Sequence, residues 1–159
     1  MNGLELLRVV LQDAFWSGVA ATGFAILFNV PPKTLLSCVL CGAFGHAART
    51  LLMQYGTNIA PATLAGAALV GVLSVLFARR QHAPALIYAI CGAIPMVPGS
   101  FAYQTMMGVI RVSTANAETG MPVLVQTGID FVNTGLILAA IALGIALPSL
   151  LFRRRKPVA

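Results

Sequence analysis

The sequence predicts an all-α integral membrane protein with about five transmembrane helices, the fourth of them broken, in a single transmembrane domain over residues 1–159. Composition is the first reason. Of the 159 residues, 58% are hydrophobic and 9% are charged, and the mean hydropathy of +0.89 lies far above that of an ordinary water-soluble domain. The spacing of the charges is the second. Runs free of Asp, Glu, Lys and Arg cover 14–30, 50–78, 81–110 and 131–152, and a further run lies between Lys33 and Arg49. A spanning helix takes about 20 mostly apolar residues, so each run holds one span. Third, Pro95, Pro98 and Gly99 fall near the middle of the fourth run, where the missing amide donors and the ring clash of proline interrupt a helix.

Each span has its own local reasons. Residues 1–12 set Leu4, Leu6, Leu7, Val10 and Leu11 among Glu5, Arg8 and Gln12, a pattern that reads either as an interfacial helix or as the start of the first span. That span covers roughly 13–30 and stops at Pro31 and Pro32. It lacks the basic start and small-residue cleavage site of a signal peptide, and further spans follow it, so the chain is expected to stay intact. The second span covers roughly 34–53. The third, roughly 62–77, offers Ala65, Gly66, Ala67, Ala68 and Gly71 as a small surface for close helix packing. The fourth extends over roughly 84–110. The fifth, roughly 126–152, carries Ala140 and Gly144 four apart, a spacing that admits a neighbouring helix. No internal repeat, low-complexity segment or soluble domain interrupts this series.

The net charge of +6 is no signature of nucleic-acid binding, because the cations stand at span ends rather than on one soluble face. They read as orientation signals. Placing Arg153, Arg154, Arg155 and Lys156 in the cytoplasm puts Arg79, Arg80 and Lys33 on the same side, against Arg8 and Arg111 outside. Arg49 then falls near the outer end of the second span. The expected topology has the amino terminus outside and the carboxyl terminus inside, in a multi-pass membrane protein.

The segment Ile94-Pro95-Met96-Val97-Pro98-Gly99-Ser100 is where chemistry is expected. Broken backbone at membrane depth is tolerated beside protein or a water-filled cavity. A half-helix starting near Gly99 or Ser100 turns its free amides and positive dipole end toward the membrane centre, the device by which discontinuous helices hold a carboxylate. Ser100 adds a hydroxyl, and Tyr103 and Gln104 lie one turn on. Pro95, Pro98, Gly99, Ser100, Tyr103, Gln104 and Asn133 are therefore the candidate substrate residues, an anionic or zwitterionic metabolite the candidate ligand. The competing reading is a plain proline kink repacked by neighbouring helices.

Ionisable residues within spans are functional candidates by default, and here they are Asp13, His46, Arg49 and Asp130. On the expected topology Asp13, Arg49 and Asp130 share the outer leaflet, where Arg49 either pairs with one aspartate or lines a pathway. The other carboxylate is then free to bind a proton. His46 and Arg49 lie three apart and hence on one helix face, with Gly42 and Gly45 clearing space, and a histidine changes charge near neutral pH. Asp130, Asn133 and Thr134 form a polar stripe on the fifth span. Cys38 and Cys41 make a C-x-x-C, yet within an apolar span without acidic or histidine ligands they read, like Cys91, as small buried residues. No zinc spacing, phosphate loop or nucleophile motif points to an enzyme, a metal or a cofactor.

Phe28-Asn29-Val30-Pro31, then Gly45-His46 with Arg49, then Ile94-Pro95-Met96-Val97-Pro98-Gly99 followed by Ala102-Tyr103 closely resemble the threonine/serine exporter (ThrE-like) family over nearly the whole chain. Single-chain members of that family carry about ten spans, and this chain is similar to their carboxyl-terminal half. The likeness is closest to the small five-span subunits of the YjjB type, which work with a larger five-span subunit of the YjjP type in a pair associated with succinate export. The resemblance therefore implies a secondary exporter of small carboxylates, succinate first and threonine or serine as the alternative, with that second subunit and the lipid bilayer as partners. Homo-oligomers stay open. So do two other functions: a membrane scaffold subunit with no pathway, and a quinone-linked thiol oxidoreductase resting on Cys38 and Cys41 alone.

Overall fold

The structure, a computed structural model, describes residues 3–151. Phe152 and the basic cluster Arg153, Arg154, Arg155 and Lys156, on which the expected orientation rests, lie outside the described residues. Among the described residues the chain is helical, with no strand: α1 (Gly3–Leu27), α2 (Leu35–Gln54), α3 (Ile59–Gln81), α4 (Ala85–Ala93), α5 (Gly99–Thr114) and α6 (Ala117–Leu151), with 3₁₀ turns at Pro32–Thr34 and Ile94–Met96. Four of these helices are long and apolar enough to cross a membrane. The pair Ala85–Met96 and Gly99–Thr114 supplies a fifth span if taken together.

Helix α1 runs unbroken from Gly3, so the amino-terminal residues continue the first span instead of forming a separate interfacial helix. Its other end explains one of the motifs. Asn29 takes the left-handed conformation (φ 54°), the Asn29 amide donates to the Ile26 carbonyl and the Val30 amide to the Ala25 carbonyl, both at 2.9 Å. That is the double closure of a Schellman cap, and Pro31 then forbids continuation. The end of α2 repeats it with Gly56 (φ 87°), whose amide donates to Met53 while that of Thr57 donates to Leu52. At the end of α3, His82 is left-handed (φ 51°) and Ala83 donates back to Ala78. Each cap satisfies carbonyls that a membrane protein cannot leave bare.

The chain divides into two compact units, Met1–Met96 with Ala140–Ala159, and Val97–Ala139. In the first, Ala25, Cys38, Cys41, Val70, Tyr88, Cys91 and Met96 form a buried core. All three cysteines are free and buried, as small packing residues would be. Close approach, rather than bulk, shapes this unit. A Cβ on Gly66 would meet the Gly45 carbonyl, the Arg49 stem and the Met96 sulfur, so α2 and α3 cross nearly backbone to backbone. The small surface of α3 is occupied too, since Gly144 of α6 lies against Leu64, Ala67 and Ala68. Polar groups close one end of the unit. Tyr88 donates to Gln81 Oε1 at 2.8 Å, and Gln81 Nε2 donates to Ser37 at 2.7 Å, joining α2, α3 and α4.

In the second unit, α5 and the first half of α6 form a helical hairpin. Gly108 of α5 faces the Thr127 side chain of α6, and Thr127 turns its hydroxyl back to the Val123 carbonyl at 2.6 Å.

Candidate functional site

The helix of the fourth apolar run breaks where two prolines demand it. The Ile94–Met96 turn ends the first half, and α5 starts at Gly99 with Pro98 at its cap position and no side-chain cap. The Gly99 amide folds back on the Val97 carbonyl at 2.8 Å, and the first regular helical bond runs from the Ala102 amide to Pro98. The amides of Ser100 and Phe101 therefore head the new helix, whose positive dipole end they form. Gly99 and Ser100 are exposed, and Pro95 is half-buried in the 3₁₀ turn.

One turn of α2 gathers the ionisable residues of the first unit. His46 Nδ1 lies 2.6 Å from Asp13 Oδ2 of α1, and the Thr50 hydroxyl, one turn beyond His46, donates to the same carboxylate oxygen. With Asp13 ionised the ring N–H donates, and the pair can hold or release a proton at this contact. His46 is 17% and Asp13 30% exposed, so the contact is largely shielded yet still within reach of water. Among the described residues Arg49 makes no ion pair with a carboxylate. Its Nη1 donates instead to the Met96 carbonyl at 3.1 Å, because His46 already occupies Asp13 and the Gly45 and Gly66 crossing brings Met96 within reach of the guanidinium. The last carbonyl of the broken half-helix thus receives a cation at the negative end of its dipole.

The second unit holds a groove of about 380 Å³ along α5 and α6, lined among others by Tyr103, Gln104, Arg111, Gln126 and Asp130. Asp130 is 3% exposed, and its Oδ1 accepts from Gln126 Nε2 at 3.2 Å. Three of the expected site residues, Tyr103, Gln104 and Asp130, therefore share one cavity. Asn133 lies outside that lining and is half-buried, while the hydroxyl of its neighbour Thr134 bonds the Asp130 carbonyl at 2.7 Å.

Four contributors escaped the sequence reading. Arg111 read as an orienting charge, yet it stands seven residues after Gln104 and so on the same face of α5. Gln126 precedes Asp130 by one turn, and Thr50 follows His46 by one turn; both spacings were available signals. The Met96 carbonyl had none, since a backbone acceptor carries no residue signature.

No solved structure matches this chain. A curated protein of Haemophilus influenzae (strain ATCC 51907 / DSM 11121 / KW20 / Rd), named only "Uncharacterized protein", is 38% identical over 149 residues, which make up 94% of this chain and 50% of the relative. The chain thus spans about half the length of this curated relative. The family described as "Threonine/Serine exporter, ThrE" matches residues 13–151, and with that match over most of its length, the chain belongs to the threonine/serine exporter family.

Proposed function

We propose that this chain is one half of a secondary exporter of small carboxylate metabolites, working in a bacterial inner membrane with a second five-span subunit of the YjjP type. The observation that carries the reading is the break at Pro98 and Gly99, where a helix starts without a side-chain cap inside a span otherwise apolar enough to cross the membrane. Such a start offers the two amides of Ser100 and Phe101 and half a positive charge to a carboxylate. Membership of an exporter family supports movement across a membrane, and the half-length relation to the Haemophilus protein supports a second half.

The His46 and Asp13 contact supplies a place for a coupling proton. A proton arriving there neutralises Asp13 or leaves His46 charged, and either outcome changes the field at Arg49 on the same turn of α2. The amino terminus outside and carboxyl terminus inside remain the orientation we propose.

Succinate is the first substrate of this reading, because the sequence resembles the small subunits of a pair associated with succinate export. Threonine or serine is the second, and one observation favours it: Asp130 and Arg111 line the same groove, and an ionised carboxylate there attracts an ammonium group. The test is metabolite release. Cells lacking the gene, alone or with its partner gene, should retain succinate, threonine or serine that wild-type cells release; unaltered release of all three removes the proposal.

A further inference from the structure

We infer that the groove along α5 and the first half of α6 is a substrate subsite in which Arg111 anchors a carboxylate and Asp130 selects what the other end of the substrate carries. This inference rests on the exporter reading above and deepens it. Gln104 and Arg111 lie two turns apart on α5, Gln126 and Asp130 one turn apart on α6, and all four line one groove of about 380 Å³, a volume suited to a small metabolite. So polar a lining has no place against lipid. Within an apolar span, ionisable and amide side chains mark a water-filled cavity or a substrate path, and Asp130 belongs to the 31-residue candidate span Glu118–Pro148.

Two further observations show a site rather than a structural ion pair. Asp130 is 3% exposed, and its Oδ1 accepts a hydrogen bond from Gln126, which orients the carboxylate. Arg111 is exposed and makes no ion pair with Asp130, although both border the same cavity. The two charges are therefore not neutralised by each other. A guanidinium presents a planar fork of donors that matches a carboxylate with two parallel hydrogen bonds. Ionised Asp130 attracts an ammonium and repels a second carboxylate. Arg111 thus serves every carboxylate substrate, whereas Asp130 favours those whose other end is cationic over dicarboxylates.

The experiment measures transport of threonine, serine and succinate by membrane vesicles from cells producing the full chain with its membrane partner. Arg111→Gln should raise the half-saturating concentration of all three by roughly ten-fold or more, the worth of one charge-assisted pair, and Arg111→Lys should restore part of it. Asp130→Asn should weaken threonine and serine by a similar factor while leaving succinate unchanged or tighter. If Asp130→Asn fails to assemble, as judged by size-exclusion chromatography in detergent, Asp130→Glu carries the test: a kept preference for the ammonium-bearing substrates supports the inference and a lost one overturns it. Equal effects of Asp130→Asn on all three substrates, or wild-type half-saturation in Arg111→Gln, overturn the inference and leave the exporter reading standing. Wild-type vesicles that move none of the three refute both.

Discussion

Arg49 is the residue on which the first unit turns, because its donor meets the Met96 carbonyl at the proline break. An unsatisfied buried acceptor costs roughly 1–3 kcal/mol, so Arg49→Ala should lower the unfolding temperature of the detergent-solubilised protein, with Arg49→Lys falling between it and the wild type. Equal midpoints for all three would show that the contact carries no weight. At this scale the sequence was partly legible. His46 and Arg49 announced themselves as ionisable groups on one helix face within a span, and so did Asp13. Their partners did not: three residues compete within one turn, and that His46 and Thr50 reach Asp13 while Arg49 reaches the Met96 carbonyl follows from how α2 packs against its neighbours rather than from charge. The groove position of Arg111 was hidden for a different reason, since a cation near a span end carries the same signature whether it only orients the chain or also lines a groove.

Helix ends and helix breaks are set by a few residues. Asn29 holds a left-handed cap, a conformation that costs roughly 1–2 kcal/mol for a residue with an ordinary side chain. Asn29→Val should therefore destabilise the protein by about that amount and Asn29→Gly should not, as read by thermal unfolding in detergent; equal stability of the two would mean that the cap is not formed. The break was legible to the residue, because proline removes a donor wherever it stands and α5 starts at Gly99 as the segment predicted. The outer bounds were not. The described helix of α6 starts at Ala117, well before the expected 126, because span estimates follow the apolar window while a helix continues through Glu118 and Thr119 as long as its backbone bonds close. The break also separates a transporter from a scaffold. Alanine at both Pro98 and Gly99 should abolish transport while the subunits still assemble, whereas loss of assembly itself would favour a scaffold in which the prolines only shape packing.

Across the whole molecule, composition and charge spacing were enough to place the chain in a membrane, and the structure supplies the helices that they require. The chain spans half the length of its Haemophilus relative, and the groove side chains Tyr103, Gln104 and Gln126 stand exposed on helices meant for lipid, which is an unfavourable arrangement for an isolated subunit. We propose that transport is a property of two halves and a proton gradient together. The most direct test is efflux from vesicles reconstituted with the purified chain, with its partner, or with both, under an imposed proton gradient and with succinate, threonine and serine inside. Gradient-dependent efflux of at least one of them only when both halves are present is the predicted result; no efflux of any from vesicles holding both would contradict it.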